Sequence, residues 1–258
     1  MKLGKRILFF VIFILQTLFL FAIADAKEPY ALQKFFFEGN GYYENGKYAD
    51  AAAAYEKIID DGYANGAVCY NLAGAYFKAG DLGRAILNYE RAKYFMPRGA
   101  DLTQNYRFAR RKMKRTVSPR KEMWLWKPVR IYSSFFTVRE LMWIASGMYF
   151  LILIVIAAGV IFPKMRRHRL IPIIALIAGI LFTSFCVVVK AKEISSAAVV
   201  MVSETSAFFG PFDSATKFFT LYEGMPVEVL KSKDDWLKVR RRDGKSGWIK
   251  EDKVQLVR

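Results

Sequence analysis

Apolar positions along this chain follow three rhythms, and each predicts a different kind of element. Three runs are apolar on every side, at residues 7–24, 141–162 and 170–189. Leu141 to Phe162 carries no charge over about the 20 residues a helix needs to cross hydrocarbon, and Leu170 to Val189 does the same before ending at Lys190. Neither has the polar face of a helix that lies on a soluble core. Pro172 falls in the first turn of the second run, where proline costs little. Only residues 163–169 separate the two, so a helical hairpin is predicted.

The second rhythm is helical and repeats. Compared with itself at an offset of 34 residues, the chain aligns Tyr42 with Tyr76, Gly46 with Gly80, Ala51 with Ala85 and Tyr55 with Tyr89, and Gly39 with Ala73. Gly46 and Gly80 stand where the first helix of a pair must stop and turn, which favours φ > 0. The small residues mark close approach of two helices, and the tyrosines fill the space between them. Pro97 closes the second unit. Two such units bury little alone. An amphipathic helix over Asp101 to Lys114, offering Leu102, Tyr106 and Phe108, is predicted to cap them.

From about Ala197 the period shortens to that of strands. The runs are 198–202, 226–230, 236–240, 247–249 and 253–257, with Asp243-Gly244 as a hairpin turn. The predicted organisation is a signal peptide at 1–26, a helical domain at 27–116 and a basic, aromatic juxtamembrane segment at 117–140. Membrane helices come next at 141–162 and 170–189 around a cytoplasmic loop at 163–169, and a small β-barrel occupies 190–258.

Charge refines this picture. Lys and Arg number 40 against 23 Asp and Glu, a net +17 in 258 residues. Much of the excess lies between Arg107 and Arg139, beside an apolar segment. That placement favours phospholipid head groups over nucleic acid, for which no motif is present. Lys2, Lys5 and Arg6, the run from Ile7 to Ala22, and Ala24-Asp25-Ala26 read as a secretory signal cleaved after Ala26, or as an uncleaved anchor. Either one exports the helical domain behind it. The connector carries Lys164, Arg166, Arg167 and Arg169, which holds it in the cytoplasm and both flanking domains outside. Arg120, Lys121, Lys127, Arg130 and Arg139 argue for the reverse, but longer translocated regions obey the charge rule weakly. Trp124, Trp126, Tyr132, Phe135, Phe136 and Trp143 suit an interfacial collar.

The chemistry of catalysis is not visible. Two cysteines, Cys69 and Cys186, and one histidine, His168, offer neither a disulfide framework nor a metal cluster. There is no phosphate-cradling loop or nucleophile elbow. Asp60-Asp61 and Asp234-Asp235 sit at helix-end or turn positions, where carboxylates cap and solubilise. No catalytic, cofactor-binding or metal residue is assigned, and a non-enzymatic protein is expected.

Three resemblances rest on these residues. The repeat over 32–99 resembles the tetratricopeptide family, in which the inner face of each first helix holds an extended peptide. By position this implies Phe36, Asn40 and Tyr43 in the first unit and Tyr70, Phe77 and Lys78 in the second. Asn40 stands where that family has a backbone clamp, whereas Gly74 replaces it in the second unit. The alternative is that these aromatics pack on the capping helix or a neighbouring copy. Residues 197–258, with Glu223-Gly224, Asp235 to Val239, Asp243-Gly244 and Gly247-Trp248-Ile249, resemble the bacterial SH3 family. Its usual polar stretch has become Ser206 to Pro211. Trp236 is a candidate recognition residue in that family's terms, and Trp248 a core one. The order of modules resembles BatE-type proteins of aerotolerance operons. This implies an inner-membrane scaffold with periplasmic domains, joining membrane and periplasmic proteins of the same operon, including von Willebrand factor A-type partners. Membrane lipid, and alternatively peptidoglycan, are the other partners implied, with no cofactor.

Overall fold

A computed structural model of the chain describes residues 30–118, 123–161 and 168–257. The expected signal peptide and the connector's Lys164, Arg166 and Arg167 lie outside the described residues, as do Arg120 and Lys121.

The first region is helical: α1 (Tyr30–Glu44), α2 (Tyr48–Asp60), α3 (Gly66–Ala79), α4 (Leu82–Phe95) and α5 (Ala100–Arg111). α1 packs on α2 and α3 on α4 as hairpins. The same helix ending occurs twice. Gly46 and Gly80 have φ of +73° and +89°. The amides of Gly46 and Lys47 close onto Tyr43 and Tyr42 carbonyls, and those of Gly80 and Asp81 onto Phe77 and Tyr76. Asn65 and Asp81 cap the starts of α3 and α4 through the Val68 and Arg84 amides. Ala51, Ala73 and Ala85 are fully buried, and a Cβ on Gly39 would come within 2.6 Å of the Tyr55 ring. Tyr55, Tyr76 and Tyr89 fill the interior, whereas Tyr42 faces solvent. α5 is shorter than expected and buries Leu102, Tyr106 and Ala109. Phe108 stays half exposed instead of joining that core.

A 3₁₀ turn at Trp124–Trp126 leads into α6 (Lys127–Phe135), then α7 (Val138–Ile161) and α8 (Leu170–Ser196). α7 and α8 pack on each other, and each is long and apolar enough to cross a bilayer. Within their most apolar windows only 6% and 11% of residues are buried, so they are not the sheltered core of a soluble fold. Both outrun the apolar blocks. α7 begins three residues before Leu141, and α8 continues through Lys190 to Ser196, so residues 190–196 belong to this helix and not to the β domain. Lys190 is buried because its ammonium donates to the Ser133 carbonyl at 2.8 Å and to that of Phe136. It caps the C-terminal end of α6, where the last carbonyls have no partner within the helix.

β1 (Ala197–Val200) starts directly at the end of α8. After it come β2 (Glu204–Phe208), β3 (Lys217–Tyr222), β4 (Pro226–Lys233), β5 (Trp236–Arg241), β6 (Ser246–Lys250) and β7 (Val254–Leu256). They form one antiparallel sheet in the order β3-β2-β6-β5-β4-β1-β7. Register shifts in β2 and β4 bend it around Val200, Ala207, Leu221, Leu237, Val239 and Ile249, consistent with an SH3-like domain. Gly224 and Gly244 take positive φ in its turns.

β1 explains how the two regions meet. Ala198, Val200 and Val202 point into the β core, while Ala197, Val199 and Met201 join Ile86, Leu87 and Tyr89 of the helical core. The strand is therefore buried on both faces, which is why its sequence is continuously apolar and not alternating. Polar contacts frame this seam. Glu223 accepts from the Gly83 amide at 2.8 Å, Arg91 donates to the Val257 carbonyl at 2.9 Å, and Arg242 pairs with Glu90 at 3.2 Å.

Candidate binding groove

α1, α3 and α5 converge on an open groove of about 400 Å³, lined by residues that include Asn40, Tyr43, Tyr70, Phe77 and Lys78. Phe36 is not among them. It turns into the core beneath α1, its ring 5.9 Å from that of Tyr55. Asn71 and Asn105, which carried no signal in the sequence, also line the groove, as does Phe108, expected instead to pack under the capping helix.

The groove has a polar floor. The Tyr55 hydroxyl donates to Asn40 Oδ1 at 2.6 Å and Asn71 Nδ2 donates to the same oxygen at 3.1 Å. Burial is the main reason the Tyr55 hydroxyl is pushed up to about 12, with the Asn71 bond opposing it, so it remains a donor at neutral pH. Tyr89 is likewise raised by burial. Asn71 lies three residues before Gly74, on the same face of α3, so the amide missing at Gly74 is supplied one turn earlier. Gly74 in turn leaves room for Tyr43, whose hydroxyl would be 3.7 Å from a Cβ there. One wall is aromatic. Phe77 meets Phe108 edge-on at 5.6 Å, Tyr70 meets Tyr89 at 6.2 Å, and Asn105 Nδ2 holds the Tyr70 hydroxyl at 2.6 Å. Lys78 and Glu44 are exposed at the rim.

The Cys69 thiol is buried, and burial pushes it up to about 11, far from a thiolate at neutral pH. Among the described residues no cluster of three or more histidine, cysteine or acidic side chains could hold a metal ion.

On the β domain the two tryptophans differ in burial. Trp236, the candidate for recognition, is 8% exposed and stands edge-on to Phe208 at 5.7 Å. Its neighbour Leu237 lies with Val239 in the sheet core, while Lys238 and Arg240, which alternate with Trp236, stay more exposed. Trp248 is half buried, with the Lys238 ammonium 5.9 Å over its ring. The altered stretch Ser206 to Pro211 supplies the end of β2 and Phe209, which with Phe212 and Phe218 is among the exposed aromatics that follow.

A search of curated proteins finds no match to this chain. Residues 203–255 match the family model described as the bacterial SH3 domain, which places the C-terminal sheet, from just after β1 into β7, in that family.

Proposed function

We propose that this chain is a membrane-anchored adaptor whose helical groove holds an extended segment of a partner protein. The observation that carries this reading is the Asn40–Asn71 pair. Their mutual bond leaves Asn40 Nδ2 and Asn71 Oδ1, one donor and one acceptor, without hydrogen-bond partners among the described residues. A peptide backbone presents the complementary acceptor and donor, and the aromatic wall accepts its side chains. The 34-residue repeat and the paired helix endings support a tetratricopeptide identity for α1 to α4. The module order supports the BatE-type scaffold reading, with operon-encoded envelope proteins as partners. α7 and α8 are read as the anchor. The contacts between the helical region and the sheet support both lying on one side of the membrane, which the basic connector assigns to the periplasm.

The test is co-purification of the full chain from mildly solubilised membranes with its neighbouring gene products expressed. Partner affinity is expected to fall about 30-fold, and recovery with it, in the Asn40→Ala/Asn71→Ala variant, as loss of two hydrogen bonds at ~1 kcal/mol each implies. Recovery of the chain alone, or equal recovery by the variant, overturns the proposal. The bacterial SH3 match favours a second reading, a wall sensor that binds peptidoglycan peptides through the sheet domain. Sedimentation of the full chain with purified sacculi, sensitive to Phe209→Ser/Phe218→Ser, separates this reading from the first.

A further inference from the structure

We infer that a basic cleft along α5 and the turn before it, tied to the α6–α7 corner through Arg98, holds the head group of an anionic phospholipid. The cleft, about 690 Å³, is lined by residues that include Arg98, Thr103, Asn105, Arg107 and Arg111. Arg107 and Arg111 are four residues apart, on one face of α5, and both are exposed. Among the described residues neither has an ion-pair or hydrogen-bond partner. The Thr103 hydroxyl gives its proton to the Gly99 carbonyl, and one Asn105 N–H goes to the Tyr70 hydroxyl. The donor array is therefore the two unengaged guanidinium groups with the second Asn105 N–H, and guanidinium binds phosphodiester oxygens in bidentate fashion.

Arg98 fixes the height of the cleft. Its guanidinium pairs with Glu140 and donates to the Phe135 carbonyl at 3.4 Å, and it lies 5.1 Å and 5.9 Å from the Phe135 and Phe136 ring centres. These partners belong to the end of α6 and the first turn of α7, where the chain enters its apolar helix. Around them Trp124, Ile131 and Phe135 present exposed apolar surface, as expected at the boundary between head groups and acyl chains. Glu140 answers the charge of Arg98, so the two α5 arginines leave the cleft positive. A lipid phosphate at this level meets it without leaving the bilayer, whereas a zwitterionic head group brings its own cation into a positive field.

The inference rests on α7 and α8 being membrane spans, which carbonate extraction of membranes tests separately. Release of the full chain by carbonate sinks both readings. For a retained chain, native mass spectrometry in mild detergent reads the binding of phosphatidylglycerol against phosphatidylcholine. The wild type is expected to prefer phosphatidylglycerol, and Arg107→Gln/Arg111→Gln to bind it about 30-fold more weakly, at ~1 kcal/mol per basic residue. The equal charge change Lys34→Gln/Lys47→Gln on the far hairpin should leave binding unaltered. No preference between the lipids, or an equal loss in the Lys34/Lys47 pair, overturns the inference. Displacement of the lipid by stoichiometric glycerol phosphate also overturns it, by marking a site for free anions.

Discussion

Glu90 shows how much a single side chain contributes to the seam between the helices and the sheet. It lies on α4, accepts a hydrogen bond from the Tyr106 hydroxyl, and pairs with Lys93 at 3.1 Å and Arg242 at 3.2 Å. Burial by itself raises the carboxyl, but Lys93, Arg242 and Tyr106 outweigh it and hold the group below its ordinary 4.5. A carboxylate depressed in the folded state contributes stability that is present above 4.5 and is lost as pH falls through the lowered folded value. Thermal melting of the full chain is therefore expected to weaken in acid. Glu90→Gln should lose about 1.5–3 kcal/mol near neutral pH and flatten the acid limb. An unchanged acid limb in that variant would show that another carboxylate governs it. The repeat glycines and alanines were legible at this scale because each answers to a local steric demand. Glu90 was not, because its partner Arg242 is 152 residues away.

Among the elements, α6 depends most on a distant residue. Nothing in Lys127 to Phe135 marks it as a stable helix, and isolated helices this short are marginal in water. α8 supplies what is missing. Tyr132 meets Phe182 at 5.4 Å, Trp126 stacks near Phe185, and Lys190 caps the final carbonyls. Lys190→Met should keep the apolar bulk and remove the cap. The amides of residues 127–135 are then expected to exchange with deuterium at least about tenfold faster, corresponding to ~1.5 kcal/mol or more for a lost charged hydrogen bond. Exchange within α7 and α8 should stay slow, and uniform slow exchange across α6 would mean that its ring contacts suffice. The aromatic and basic composition of 117–140 was readable as interfacial. The helix within it was not, since its stability comes from a neighbour across the fold.

In the whole molecule, β1 ties α8, the helical region and the sheet together. It leaves α8 without a linker and gives alternate residues to two cores. Val199→Asp would place a carboxylate in the helical core while leaving the sheet core's Ala198 and Val200 unchanged. Undocking is expected, read as a longer spin-label distance between α2 and β6 in the full chain, with the sheet itself still folded. An unchanged distance would show that the polar contacts hold the seam alone. The apolar helices, the helical repeat and the C-terminal strands were determined by sequence, because hydrophobic period and turn residues act over a few positions. The stretch 203–219 hid β2 and β3 because its apolar residues do not alternate cleanly. Only the tertiary structure decided that Asn71 replaces the amide absent at Gly74, that Trp236 is buried, and that sheet and helices share β1. Each of these depends on which surfaces of remote elements meet, and a local pattern carries no record of its partner.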